Sequence, residues 1–359
     1  MKITALIMAG GRGERFWPKS RRSMPKQFLC LSDNGKTMIQ LTVARIKSIV
    51  AYEDIFIVTN QEYYDLAVEQ LPEIPRENIL CEPFARNTAP CVGLGAMHIK
   101  KKYGDALMIT LPSDHLIKYQ TMFLNVLTDA CGVAEKDQNL ATVGIPPTYP
   151  EISYGYVKFN PNKSFLRQNR AFEVERFEEK PTLRKAKEYL SNELYLWNSG
   201  MFVWKASSIL SKIEEYLPAI YTGLTAIGDA IGTENYQNVM GAEFTKMPSE
   251  SIDYGVLEKT KNIYIIPGAF GWDDVGSWLS VERIRKSNEF GNVVTGNVIT
   301  VNTKNSIIEC NSRLIATVGI EDLVIVDTND ATLICAKDST ADIKKVLENL
   351  KICNRDEYI

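Results

Sequence analysis

The chain has 359 residues, 45% of them hydrophobic, with 41 basic and 44 acidic side chains and a formal net charge of −3. This length suits one main domain and a smaller unit, and the lack of a basic excess argues against a nucleic-acid surface. No apolar run approaches the ~20 residues of a membrane span, and Met1-Lys2 leads into a strand-like segment without the features of a secretory signal.

Residues 2–8 are apolar and read as a buried strand. Gly10, Gly11 and Gly13 follow within four positions. Glycine has no Cβ, so backbone N–H groups in such a turn can form a concave anion site. Arg12, Arg15, Lys19, Arg21, Arg22 and Lys26 surround it with cations. A strand, a glycine turn and clustered cations suit a polyphosphate. The turn is not a P-loop, because GxxxxGK followed by Ser or Thr is absent, and not GxGxxG, because position 16 is Phe.

Strand-like residues 55–59, helical 61–70, strand-like 79–81, helical 89–103 and strand-like 106–111 come next. This β-α alternation predicts a mostly parallel sheet covered by helices. Helices are expected at 123–135, 185–190 and across 206–240. Strands are expected at 141–145, 154–159, 172–178, 200–204 and 263–267.

The texture changes near residue 290. Short β-branched strands at 292–301, 306–309, 313–318, 323–327 and 332–336 are punctuated by Gly, Asn and Asp. They read as a small β-helix-like module, closed by a helix over 340–353. The expected division is a catalytic domain at 1–288 and this module at 289–359. Edge strands of the module can be covered by a homodimer contact or by intramolecular packing.

The seven cysteines form no CxxC pair, which fits reduced thiols in a cytoplasmic protein. Two histidines leave no His-rich zinc site.

Ligands of parallel sheets bind beyond the carboxyl ends of the strands. The glycine turn, Pro112-Ser113-Asp114-His115 and the Trp272-Asp273-Asp274 loop are expected to meet there. Asp114 or Asp274 alone reads equally as a turn or capping aspartate. Together, two carboxylates from separate loops can share one Mg²⁺ with substrate phosphates. Glu179 can accept from sugar hydroxyls, and Lys180 can pair with a sugar phosphate. Asn198, before Gly200, can donate and accept at once. Gly155, between Tyr154 and Tyr156, offers backbone amides. Asn87 either belongs to a helix entry capped by Thr88 or reads a base edge, and both readings stay open.

Taken together, Ala9-Gly10-Gly11-Arg12-Gly13-Glu14-Arg15-Phe16-Trp17-Pro18, Pro25-Lys26-Gln27-Phe28, Arg86-Asn87-Thr88-Ala89-Pro90, Glu178-Glu179-Lys180-Pro181, Trp197-Asn198-Ser199-Gly200-Met201-Phe202 and Gly271-Trp272-Asp273-Asp274 resemble the sugar-phosphate nucleotidyltransferase family, in its mannose-1-phosphate guanylyltransferase branch. The resemblance spans essentially the whole chain. It implies a Rossmann-like nucleotide-diphospho-sugar transferase fold with a C-terminal β-helix-like module. It also implies Mg²⁺-dependent conversion of GTP and mannose 1-phosphate to GDP-mannose and pyrophosphate. By motif matching, Gly10, Gly11, Arg12, Gly13, Arg15, Lys26 and Ser113 would hold the nucleotide. Asn87 and the backbone of Ala9 to Gly11 would read guanine. Asp114 and Asp274 would carry Mg²⁺, and Gly155, Glu179, Lys180 and Asn198 would hold the sugar phosphate. Two rivals are a hexose-1-phosphate transferase using another nucleotide and a non-catalytic nucleotide-sugar-binding subunit.

Overall fold

A computed structural model describes residues 1–32, 34–165 and 170–359. Their contacts fall into two units. The first joins Met1–Gly10, Val43–Ser113 and Ile117–Trp272, and the second joins Gly11–Thr42, Asp114–Leu116 and Asp273–Ile359.

Parallel strands β1 (Ile3–Met8), β2 (Ile55–Asn60), β3 (Ile79–Glu82) and β4 (Leu107–Pro112) build one side of the first unit's sheet, in the order β3-β2-β1-β4. Their residues are almost all buried, so the strands read as unbroken apolar runs. After the two-residue β5 (Leu116–Ile117) come β6 (Leu140–Ile145), β7 (Tyr156–Ser164), β8 (Phe172–Glu178), β9 (Tyr195–Lys205) and β10 (Ile263–Pro267), then the two-residue β11 (Trp272–Asp273). Among the described residues the sheet has nine strands, ordered β3-β2-β1-β4-β9-β6-β10-β8-β7, and only β8 and β9 run against the rest. The fold is therefore Rossmann-like with a mostly parallel central sheet.

The helices of the first half are α1 (Met38–Ile46), α2 (Tyr64–Gln70), α3 (Thr88–Tyr103), α4 (Gln120–Ala134) and α5 (Leu183–Leu190). Helix α3 lies close against β1. A Cβ on its Gly95 would stand 2.6 Å from Leu6 Cδ2, so the approach requires glycine. One apolar cluster joins Leu6, Val58, Leu94, Met108 and Trp204 across this face, each contributing about 1.5–3 kcal/mol by burial.

Several boundaries differ from the sequence reading. β9 starts at Tyr195 rather than 200, because Gly200 adopts φ 68° and lets the strand continue past Asn198. The 206–240 stretch is three helices, α6 (Ala206–Tyr216), α7 (Pro218–Ala230) and α8 (Tyr236–Lys246), with Pro218 opening the second. Helix α1 and a π-turn over Asp253–Leu257 have no counterpart in that reading.

In the second unit, parallel strands stack as coils. Val293 of β12 (Val293–Thr295) lies beside Ile307 of β14 (Ile307–Cys310), which lies beside Val324 of β16 (Leu323–Asp327). β13 (Val298–Val301) pairs in parallel with β15 (Ile315–Val318), and β17 (Thr332–Ala336) ends the stack antiparallel to β16. The single strand expected at 292–301 is broken between β12 and β13, where Gly296 has φ 92°. Helix α9 (Ser280–Ile284) precedes these strands in the chain and α10 (Ile343–Ile352) follows them. This is the β-helix-like module.

Residues far apart in sequence share its core. Phe16, Trp17 and Leu31 pack with Val275 and Trp278, and all join Val293, Ile307, Val324 and Leu347. Trp278 Nε1 donates to the Trp17 carbonyl at 3.1 Å, and Trp17 Nε1 donates to the Tyr358 carbonyl at 2.7 Å. Glu309 is buried between two cations: it pairs with Lys19 and, through Oε2, with Arg285 at 2.9 Å. The cation-bearing segment from Gly11 is thus built on the module's framework. Among the described residues, no helix is long and apolar enough to cross a membrane.

Candidate functional site

A cleft of about 420 Å³ in the second unit is lined by Arg12, Gly13, Arg15, Lys26, Asp114 and Asp274, among others. Gly13 adopts φ 64°, a left-handed conformation that costs an L-residue strain. A Cβ there would also stand 2.9 Å from the Lys26 backbone nitrogen and overlap the Lys26 side chain. Glycine is therefore demanded twice, and the turn presses against Lys26.

Lys26 is a buried lysine. Its Nζ lies 2.7 Å from Asp114 Oδ2 and donates to the Asp274 carbonyl at 2.8 Å. One ammonium thus ties the two aspartate-bearing segments together. Loss of hydration pushes the Asp114 carboxyl up, but Lys26 and His115 outweigh it and hold Asp114 below the usual carboxylate range. Arg15 reaches the Gly276 carbonyl at 3.5 Å, and the Asp274 carboxylate sits against Gly276. Neighbouring Asp273 has a different duty. It is buried, ion-paired with Arg283, and accepts from the Val275 N–H at 2.8 Å. Asp273 shapes the loop, and Asp274 lines the cleft.

In the first unit, the ends of the parallel strands are cross-linked. Ala9 N–H donates to the Val58 carbonyl at 2.7 Å, and Ser113 N–H donates to the Met8 carbonyl at 3.1 Å. Asn60 Nδ2 donates to the Gly10 carbonyl at 3.2 Å.

A second group in this unit surrounds Asn198. Its Nδ2 donates to Asp253 Oδ1 at 2.7 Å, and its Oδ1 accepts from the Gly200 N–H at 3.2 Å. It also hydrogen-bonds Glu179. Burial, then the Asp253 charge, raises the Glu179 carboxyl to about 7, against the pull of Asn198 and Lys180. Burial likewise raises Asp253. Gly155 is packed against Glu179, with only 2.8 Å between a would-be Cβ and Glu179 Cδ. Lys180, next along, is exposed at φ 47°. Sequence reasoning misses Asp253, which the π-turn presents. An acid inside an otherwise apolar stretch, Ile252 to Leu257, is the available signal.

Asn87 stands apart at the start of α3. It is the N-cap, with φ 67° and its Oδ1 accepting from the Thr88 N–H at 2.8 Å. Thr88 is not the cap: its hydroxyl accepts from the Ile252 N–H at 2.9 Å.

A nucleotidyl transferase family model matches residues 4–289. The chain belongs to the nucleotidyl transferase family. A MannoseP isomerase/GMP-like beta-helix domain matches residues 296–350, the region of the stacked strands. The chain is 39% identical over 363 residues to mannose-1-phosphate guanylyltransferase of Salmonella montevideo, covering 99% of this chain and 76% of that protein. It is 38% identical to mannose-1-phosphate guanylyltransferase of Escherichia coli (strain K12), covering 99% and 75%. The crystal structure of mannose-1-phosphate geranyltransferase from Thermus thermophilus superposes with a TM-score of 0.88 at 30% identity, over 98% of this chain and 100% of that one. Nucleotidyl transferases of this family generally use a divalent metal.

Proposed function

We propose that this nucleotidyl transferase moves GMP from GTP to mannose 1-phosphate, giving GDP-mannose and pyrophosphate. The observation that carries the reading is the cleft where Arg12, Arg15 and Lys26 face Asp114 and Asp274 around a glycine turn. The guanylyltransferase relatives support the choice of substrates.

A phosphate oxygen of mannose 1-phosphate attacks the α-phosphorus. The bond from that phosphorus to the bridging oxygen breaks, and its electron pair leaves with pyrophosphate. The nucleophile is already anionic, so no general base is needed. The protein's task is alignment and charge neutralisation. Gly10, Gly11, Gly13, Arg12, Arg15, Lys26 and Ser113 hold the nucleotide. Asn87 and the Ala9–Gly11 backbone meet the base. In the first unit, Glu179 and Gly155 take sugar hydroxyls and Lys180 takes the sugar phosphate. Asn198 keeps the Glu179 and Asp253 carboxylates in place.

Among the described residues, no three acidic, His or Cys side chains cluster as a metal cage. Two carboxylates lining one cleft suit Mg²⁺, which binds through one or two carboxylates and keeps waters and phosphate oxygens. Asp114 and Asp274 would hold it. When bound, it supplies positive charge to the phosphates.

On this reading 1–288 is the catalytic domain and 289–359 its β-helix-like companion. The enzyme works in the cytoplasm without nucleic acid or membrane partners, and a homodimer is its candidate assembly. The test is a matrix of four nucleoside triphosphates against mannose and glucose 1-phosphates, read as pyrophosphate release. The highest kcat/KM is expected for GTP with mannose 1-phosphate. A higher value for UTP, dTTP or ATP would point to the rival transferase, and no release at all to the non-catalytic subunit.

A further inference from the structure

We propose that Thr88 is a positioning residue for the sugar phosphate: its hydroxyl caps the π-turn that presents Asp253, and through Asp253 it sets Asn198 and Glu179. This rests on the guanylyl-transfer reading above.

By sequence Thr88 goes with the nucleotide, next to Asn87 at the entry of α3. Its hydroxyl serves another segment. The π-turn over Asp253–Leu257 follows Ile252, and the first N–H groups of any helical turn lack partners within it. Ser251 Oγ accepts from the Tyr254 N–H at 3.1 Å. Thr88 Oγ1 accepts from the Ile252 N–H at 2.9 Å. Ile252 is buried, so its N–H depends on this acceptor. A buried donor left unpaired costs its full desolvation.

The clamp is wider than one hydrogen bond. The Glu250 N–H donates to the Arg86 carbonyl at 3.2 Å, and the Ala89 N–H donates to the Glu250 carbonyl at 3.0 Å. The Arg86 guanidinium donates to the carbonyls of Phe244 and Thr245, near the end of α8, at 3.1 and 3.0 Å. Residues 86–89 are thus stitched to residues 244–252. Thr88 makes the contact next to Asp253 in sequence.

π-turns are rare and concentrate at functional sites. This one delivers a carboxylate to Asn198, whose Nδ2 donates to Asp253 Oδ1 at 2.7 Å. Asn198 in turn hydrogen-bonds Glu179. The chain from Thr88 to Ile252 and Asp253, then to Asn198 and Glu179, is unbroken. It starts in the first turn of α3 and ends on the acid read as the acceptor of sugar hydroxyls. Asn87 and Thr88 therefore divide their duties between the two substrates, as Asp273 and Asp274 do between loop and cleft.

The experiment measures both KM values in Thr88→Val, which keeps the shape and removes the acceptor. The KM for mannose 1-phosphate should rise ~10-fold, with the KM for GTP within ~2-fold of wild type. Thr88→Ser keeps the hydroxyl and should restore the wild-type value. The effect should also run through Asp253. Adding Thr88→Val to Asp253→Ala should raise the KM for mannose 1-phosphate little further, whereas independent effects would multiply. Thr88→Ala removes the same acceptor with less bulk and replaces Thr88→Val if the latter does not fold. An unchanged KM for mannose 1-phosphate, a raised KM for GTP in its place, a Ser variant as defective as Val, or multiplying effects would each overturn the inference. Wild-type pyrophosphate release with another substrate pair but not with GTP and mannose 1-phosphate overturns the guanylyl-transfer reading itself.

Discussion

Lys26 joins two aspartate segments that lie 160 positions apart in the sequence: its Nζ meets Asp114 Oδ2 at 2.7 Å and the Asp274 carbonyl at 2.8 Å. Lys26→Met removes both contacts and one phosphate-facing charge. The kcat/KM for GTP should fall ~10²-fold. A pH signature should accompany the loss. The folded-state pKa of Asp114 is depressed, so its pairing stabilises the fold above the ordinary carboxylate range and is lost as pH falls through the folded value. Thermal melts should show Lys26→Met less stable than wild type at pH 6, with the gap closing in strong acid. A gap that is the same at every pH contradicts the pairing.

Glu179 has the opposite sign. Its folded-state pKa is raised to about 7, so the folded chain holds more protons than the unfolded one between roughly pH 4.5 and 7. Its contribution to stability therefore declines as pH rises through that window. Glu179→Gln should melt higher than wild type at pH 8 and alike near pH 4. It should also flatten the dependence of the mannose 1-phosphate KM on pH around 7. Identical melting curves at pH 8 would refute the raised carboxyl.

Lys180 combines a charge with a left-handed backbone, φ 47°. Lys180→Ala should raise the KM for mannose 1-phosphate and leave GTP affinity nearly intact. Lys180→Gly relieves the backbone without restoring the charge, so it should share the KM defect while melting at least as high as Lys180→Ala. Recovery of KM in the glycine variant would assign the effect to the backbone.

Glu309 is 3% exposed and faces two cations, Lys19 and Arg285. Glu309→Ala leaves both without their shared carboxylate. Breaking a buried pair in this way costs about 3–5 kcal/mol, and denaturant unfolding should register it. A loss under about 1 kcal/mol, the range of an exposed pair, would mean that the network contributes little.

These residues also show what the chain discloses before it folds. β1 to β4 are legible because strands buried on both faces are short apolar runs with little ambiguity. Asp114 and Asp274 stand out because each follows a strand-like or glycine-rich segment. Asn198 is harder: Gly200 looks like a turn, yet its positive φ keeps the strand running, and the amide is committed to Asp253. Thr88 reads as a helix cap, but only the fold reveals that its hydroxyl serves Ile252. The grouping of Gly11–Thr42 with Asp273–Ile359 is carried by contacts such as Trp278 to Trp17 and Glu309 to Lys19, which no local periodicity encodes.

The central claim, that Asp114 and Asp274 hold one divalent ion on the nucleotide's phosphates, is tested most directly by electron paramagnetic resonance titration of Mn²⁺ with GTP present. Wild type should bind one Mn²⁺ tightly per chain, and Asp114→Asn and Asp274→Asn should each weaken that binding ~10-fold or more while lowering kcat ~10²-fold. Wild-type Mn²⁺ affinity in both variants would contradict it.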